Sequence, residues 1–379
     1  MKFLFFVSFF HPHLGGHELY NLNLALELIN LNHDVTIVTN NTEKKKNKQV
    51  FKGIKIVRLN CLNFLEGNYP VPKITELMKL FFKINNRYDF VVINTRFFAL
   101  TIFGFLWAKL FKNRVIYIEH GSSEVFLNSS LLNSISRIVN KISLTFLTNY
   151  SEIVFTVSLA GKKFLIHNCK ISKPIKILPN ALNFELIENQ SENAQIQLIK
   201  EKEKNKVIVL FIGRLIYAKG VQDLISVIKE FNNVLLLVVG DGPYKRDLEE
   251  ISSNNVIFFG NQALIKPFFT ITDILVNPSY SESLPTTIIE AGYFRKPVIA
   301  SNVGGTKELL IENKTGLLFN PKNKQQLKIQ LIKLINDSEL RKLLGENLHS
   351  LILENHNWKI NVKIFLKEIG NQKELFIKQ

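Results

Sequence analysis

Short runs of consecutive apolar residues alternate along this chain with longer stretches in which apolar positions recur at helical spacing. The first half carries such runs at 2–8, 34–39, 54–59, 89–94, 114–119, 152–157 and 175–178. The second half carries them at 206–212, 233–239, 255–259, 273–277, 296–300 and 316–319. A run that is apolar at nearly every position suits a strand covered on both faces, the condition of a parallel sheet with helical crossovers. The alternation therefore predicts an α/β protein of two doubly wound, Rossmann-like domains.

A polar, charge-rich stretch from Asn183 to Lys206 separates the two sets of runs. It contains Glu188-Asn189-Gln190-Ser191-Glu192-Asn193 and Lys200-Glu201-Lys202-Glu203-Lys204-Asn205, and predicts a linker or a solvated helix. The expected division is an N-terminal domain over 1–182, a linker over 183–205 and a C-terminal domain over 206–355. No strand is expected after Phe319, and the chain from about Asp337 is helical in pattern, leaving 356–379 as a terminal helix.

Doubly wound domains bind ligands at the carboxyl ends of their strands, and the turn chemistry gathers there. Gly15-Gly16 follows the first strand, and His120-Gly121 follows 114–119. Gly213-Arg214 follows 206–212, and Gly240-Asp241-Gly242 follows 233–239. Two such domains facing each other across a cleft would line it with these turns. The stretch Ser281-Glu282-Ser283-Leu284-Pro285-Thr286-Thr287-Ile288-Ile289-Glu290 adds two carboxylates across a loop-to-helix junction, with Pro285 suited to the first helical turn. The junction offers free N–H groups and a positive helix end to an anion. Ionised carboxylates only accept hydrogen bonds, so beside an anion site they call for hydroxyl groups on the same ligand. Phosphate and polyhydroxyl parts together describe a nucleotide-sugar.

These residues resemble the family 4 (group 1) retaining glycosyltransferases. The resemblance rests on Glu282 and Glu290 with seven residues between them, then Gly304-Gly305-Thr306-Lys307-Glu308 and Thr315-Gly316-Leu317-Leu318-Phe319. Gly213-Arg214-Leu215 with Lys219-Gly220, Gly240-Asp241-Gly242-Pro243 and Pro12-His13-Leu14-Gly15-Gly16-His17-Glu18 extend it in the family's order. It implies the GT-B fold, with the acceptor on the first domain, the donor on the second, and the final helix crossing back onto the first.

By resemblance, the residues of the reaction are His120, Arg214, Lys219 and Glu282. Arg214 would fork across diphosphate oxygens and Lys219 would act on them as a point charge. Glu282 would hold hexose hydroxyls, and His120 would bond the donor sugar. Donor binding is expected from Gly15, Gly16, Gly213, Gly240, Asp241 and Gly242, from Ser283, Leu284, Pro285 and Thr286, and from Glu290, Gly304 and Gly305, with Glu290 on the ribose. Gly304-Gly305 with Glu308 would equally serve as a tight turn. Ser283 stands where the family often has glycine, which narrows the space near the donor sugar and leaves its identity open.

Composition adjusts this picture in three places. The net charge is +16, and residues 1–182 hold 23 Lys/Arg against 10 Asp/Glu, so the excess lies in the first half. Such surface attracts nucleic acid or an anionic leaflet; without a nucleic-acid motif the leaflet is expected, with a general Lys/Asn/Ile bias as the alternative. Cys61 and Cys169 stand far apart, which indicates neither a disulfide framework nor a zinc site, and a reducing cytoplasm is the simplest compartment. The apolar N-terminus lacks a small-residue cleavage pattern, and Phe97 to Phe111 is too short to span a bilayer and contains Lys109.

No Asp-x-Asp occurs, so metal-independent transfer with no cofactor beyond the UDP- or GDP-sugar donor is expected, and His11, His13 and His17 are expected as loop histidines. The expected protein is a cytoplasmic transferase, peripheral at the inner face of the membrane, acting on a glycan or lipid-linked acceptor. A nucleotide-sugar epimerase on a similar fold and a non-catalytic membrane-associated scaffold remain the alternatives.

Overall fold

The apolar runs become strands whose side chains are covered on both faces, as in Val234–Val239, where all six residues are buried. The computed structural model describes residues 1–13, 15–64, 69–84, 88–96, 98–123, 130–171 and 173–376. Leu14 of the first glycine-rich motif and Phe97 of the apolar run lie outside the described residues. The chain divides into two compact units, Met1–Pro179 with Trp358–Gln379, and Asn180–Asn357.

The first unit runs β1 (Lys2–Phe6), α1 (Gly16–Asn30), β2 (Asp34–Asn40), β3 (Lys48–Phe51), β4 (Ile54–Leu59), β5 (Cys61–Phe64), β6 (Tyr69–Pro72) and α2 (Ile74–Lys83). It continues with β7 (Phe90–Asn94), α3 (Ala99–Leu110), β8 (Arg114–Glu119), α4 (Ser130–Tyr150), β9 (Ile153–Thr156), α5 (Leu159–Asn168) and β10 (Ile175–Ile177). Its sheet has the order β10-β9-β8-β7-β1-β2-β4-β3, and only β3 is antiparallel to its neighbour. The order reverses between β1 and β7, the switch point where such sheets open a crevice. The sequence pattern missed β3 and the β5–β6 hairpin, because β3 and β5 are largely exposed and the half-buried β6 has a proline at every second position, so none carries an apolar run.

The second unit begins with α6 (Phe184–Glu188) and α7 (Ala194–Lys202). The stretch expected as a linker or a solvated helix forms two short helices within this unit, held by burial of Ile187 and Ile196 and by the side-chain caps of Asn183 and Asn193. The Rossmann-like part follows as β11 (Val207–Ile212), α8 (Val221–Ile228), β12 (Val234–Val239), α9 (Lys245–Glu250), β13 (Val256–Gly260), α10 (Lys266–Ile271) and β14 (Ile274–Asn277). It ends with α11 (Thr286–Tyr293), β15 (Val298–Ser301), α12 (Thr306–Leu309), β16 (Leu317–Phe319), α13 (Lys324–Asn336) and α14 (Ser338–Asn355). The sheet is parallel throughout, in the order β13-β12-β11-β14-β15-β16, and switches between β11 and β14.

The last helix, α15 (Trp358–Phe376), belongs to the first unit. Phe365 packs on Phe3 and Phe155 at ring distances of 6.1 and 5.5 Å, and Trp358 meets the edge of Tyr20 at 4.8 Å. Among the described residues no helix is long and apolar enough to cross a membrane.

Candidate functional site

The sequence-predicted residues fall into two groups, one at the switch point of each unit. In the second unit, the loop after β11 bends at Gly213 and passes through a single 3-10 turn, Tyr217–Lys219, to Gly220, which is left-handed at φ 69°. A Cβ at Gly220 would stand 2.1 Å from the Pro278 carbonyl oxygen, so the residue is glycine because two loops touch there. That contact brings the loop after β11 against the loop after β14. Across it, Lys219 Nζ donates to Glu282 Oε1 at 2.6 Å, and Ser279 Oγ donates to the same oxygen at 2.8 Å. Tyr280 braces the junction, its hydroxyl donating to Asp223 at 2.7 Å and its backbone N–H to the Ala218 carbonyl at 2.8 Å.

The remaining predicted residues of this unit pack around the pair. Gly240 has φ 135°, and a Cβ there would come 1.9 Å from the Gly213 carbonyl; one at Gly242 would come 2.3 Å from that of Leu215. The Gly240-Asp241-Gly242 turn therefore lies on the Gly213–Leu215 loop, with Asp241 Oδ1 accepting from the Gly242 N–H at 2.7 Å. Gly304 is left-handed at φ 49°, and a Cβ on Gly305 would stand 1.9 Å from the Ser283 carbonyl, which ties the β15–α12 junction to the Glu282 loop. Asn180 Nδ2 donates to the Leu284 carbonyl at 2.6 Å. Pro285 forms the N-cap of α11, so Thr286 opens the helix as its first residue. Arg214 is exposed on the first loop.

Glu290 sits one turn into α11 and is buried at 7% exposure. Burial pushes its carboxyl up to about 7. Near neutrality it is divided between a form that only accepts hydrogen bonds and one that also donates, so one side chain can meet either face of a hydroxyl pair.

In the first unit, Gly15 is the N-cap of α1, and a Cβ there would fall 2.3 Å from Glu18 Oε2. Of the three histidines expected in loops, His17 lies instead in the first turn of α1, because the helix already starts at Gly16, and the three separate. His11 stacks on Phe51 at 4.1 Å, His13 lies on Phe9 with Nδ1 3.5 Å from Glu18 Oε1, and His17 meets His120 edge-on at 4.5 Å. His120 is also flanked by Tyr20 at 4.7 Å, and its Nε2 bonds Asn94 Oδ1 at 3.0 Å. Burial, with a smaller contribution from His17, holds the His120 imidazole well below the usual histidine range, so it is neutral. Its Nδ1 has no partner among the described residues. With Nε2–H donating to Asn94, Nδ1 carries a lone pair that can accept a hydrogen bond.

Beneath His120 lies a network the sequence reading passed over. Arg96 Nη1 pairs with Glu119 Oε1 at 2.8 Å with both side chains fully buried, and the same oxygen accepts from the Gly121 N–H at 2.7 Å. The Tyr117 hydroxyl donates to Glu119 Oε2, and Arg96 Nη2 donates to the Ser123 carbonyl at 2.8 Å. The network fixes the turn on which His120 is carried. Its one legible signal was a charge at the end of one apolar strand, Glu119, and one two residues past the end of another, Arg96.

The model of the group 1 glycosyl transferases matches residues 192–350, and that of Glycosyltransferase Family 4 matches residues 14–186. An uncharacterised glycosyltransferase of Methanocaldococcus jannaschii, MJ1069, is 32% identical over 389 residues, with 97% of each chain covered. Sucrose-phosphate synthase from Thermosynechococcus elongatus aligns over 100% of both chains with a TM-score of 0.82 at 20% identity. Anabaena Alr3699/HepE in complex with UDP and glucose aligns over 98% of this chain and 100% of that one, with a TM-score of 0.80 at 19% identity. At these identities the solved structures speak to the fold, which is GT-B.

Proposed function

Since the chain belongs to the family 4, group 1 glycosyltransferases, we propose that it moves a hexose or N-acetylhexosamine from a UDP- or GDP-sugar to a glycan or lipid-linked acceptor, with retention at the anomeric centre. The observation that carries the reading is the Lys219–Glu282 pair at the switch point, held on Ser279 beside the start of α11. A cation for the leaving diphosphate and a carboxylate for sugar hydroxyls stand within hydrogen-bond distance of each other, as a donor carrying both groups requires. The UDP and glucose held by the HepE neighbour support the same donor class. The family matches disfavour the nucleotide-sugar epimerase.

In the proposed reaction Arg214 and Lys219 take the charge that develops on the diphosphate as the anomeric C–O bond breaks. Glu282 and Glu290 hold the hexose and the ribose by their hydroxyls, and His120 Nδ1 accepts from another sugar hydroxyl. The acceptor hydroxyl bonds to the anomeric carbon on the face the diphosphate leaves, and its proton passes to a leaving-phosphate oxygen. No metal ion enters this scheme. The acceptor is reached at an anionic membrane surface.

A thermal-shift panel of UDP, GDP, ADP and their sugar conjugates, with and without EDTA, tests the proposal. Stabilisation by one nucleotide family, unaltered by EDTA, is expected. Stabilisation by none of them would overturn the donor site and favour a scaffold that has lost transfer.

A further inference from the structure

Three neighbouring helices of the first unit are apolar on both sides. Inward, Leu80 of α2, Phe105 and Trp107 of α3, and Leu144 and Leu147 of α4 are buried in one core. Ring contacts join the helices laterally: Phe81 lies 5.2 Å from Phe111 at the end of α3, and Phe105 lies 4.9 Å from Phe146 of α4. Outward, the same helices present Ile74, Met78 and Phe82, Leu106 and Leu110, and Ile142, each between 52% and 75% exposed. On α2 and α3 these recur every four residues, so each forms a stripe along one helix face. Single exposed apolar residues are ordinary, but stripes on adjacent helices mark a surface that something covers.

Charge identifies what covers it. The sequences of α2, α3 and α4 contain a single carboxylate, Glu76, against Lys79, Lys83, Lys109, Arg137 and Lys141. Glu76 is engaged by Lys79 at 2.9 Å, and Lys109 by Glu152, just beyond α4, at 2.8 Å. Arg137 and Lys141 each immediately precede an exposed isoleucine, Ile138 and Ile142, so cations border the apolar stripe. A second copy of this face would bring like charges together. Large apolar side chains bordered by cations fit an anionic lipid surface, where the former enter the headgroup layer and the latter meet its phosphates.

We propose that the outer face of α2, α3 and α4 docks this protein on an anionic membrane, with Ile74, Met78, Phe82, Leu106, Leu110 and Ile142 inserted among the headgroups. The inference rests on the transferase reading only for its purpose, the presentation of a lipid-linked acceptor to the first unit.

Co-sedimentation of the full chain with vesicles of phosphatidylcholine, with and without phosphatidylglycerol, tests it. The chain is expected to pellet with the phosphatidylglycerol vesicles and to stay in solution with phosphatidylcholine alone. The triple variant Met78→Gln/Phe82→Gln/Ile142→Gln changes exposed positions only, and should lower the partition about tenfold or more. Arg137→Glu/Lys141→Glu should lower it by a similar factor at low salt and less at high salt. The triple variant should keep the wild-type melting temperature, and both variants should keep the response to nucleotide-sugars. Binding unchanged in both variants, or equal on the two vesicle types, overturns the proposal. So does a dimer in sedimentation velocity that the triple variant dissolves, since a second copy then covers the face. Vesicle binding that both variants lose, in a chain that no nucleotide-sugar stabilises, upholds the docking face and overturns the transferase reading instead.

Discussion

Lys219 Nζ and Glu282 Oε1 lie 2.6 Å apart although 63 positions separate them, so this cation is paired with a carboxylate carried on a different loop. In the proposed reaction a diphosphate would compete with Glu282 for Lys219.

Glu282→Gln therefore has opposite effects on two measurements. Freed from its counter-ion, Lys219 should bind UDP or GDP without sugar as tightly as before or more so, by isothermal titration calorimetry. Turnover should fall about a hundredfold, because the interaction lost is one made to the reacting sugar. Near-normal turnover would sink the role given to Glu282.

Glu290 makes a prediction about pH. Its carboxyl titrates at an ordinary value of 4.5 when unfolded and is pushed up to about 7 in the fold. Between these values the folded protein holds a proton that the unfolded chain has released, so stability falls as pH rises through that window. Above it the loss amounts to about 3 kcal/mol. Glu290→Gln has no such titration, so its stability relative to the wild type should climb between about pH 5 and about pH 8 in chemical denaturation. A pH-independent difference would mean that Glu290 titrates normally.

Asn94 is predicted to set the state of His120. Asn94→Asp puts a carboxylate 3.0 Å from Nε2, which favours the imidazolium and raises the His120 pKa. The charged form of the ring has no Nδ1 acceptor. The acid limb of the pH–rate profile should move upward, while Asn94→Gln leaves the limb in place; an unmoved limb in Asn94→Asp would remove His120 from the reaction.

Gly220→Ala combines a left-handed φ of 69° with a Cβ 2.1 Å from the Pro278 carbonyl. Backbone strain and overlap together should cost about 2 kcal/mol or more and part the two loops that carry Lys219 and Glu282. A lower melting temperature with a larger proportional loss of activity is the expected result; unaltered melting would mean the loops separate freely.

The sheets were legible because their strands are continuous apolar runs, such as Val207–Ile212 and Phe90–Asn94, and burial on both faces leaves little else those runs can be. The loops at their ends were legible as glycine and charge following each run. What stayed hidden depends on distance in space. Nothing in the spacing of Arg96 and Glu119 announces a buried ion pair, because β7 and β8 are joined through α3 and their strand ends meet only in the sheet. The same holds for Lys219 with Glu282 and for Tyr280 with Asp223. Helices α6 and α7 fall in the stretch expected as a linker or a solvated helix, and the pattern left the two undivided because single buried isoleucines anchor these helices, too few to make a period.

The first unit is made of two pieces of chain, Met1–Pro179 and Trp358–Gln379, with the whole second unit between them. On the ribosome, Phe3 and Phe155 emerge long before Phe365, the ring that packs on both. The half translated first is therefore the half completed last. A nascent chain released early would carry a finished second unit and a first unit lacking the aromatic rings that α15 supplies to it.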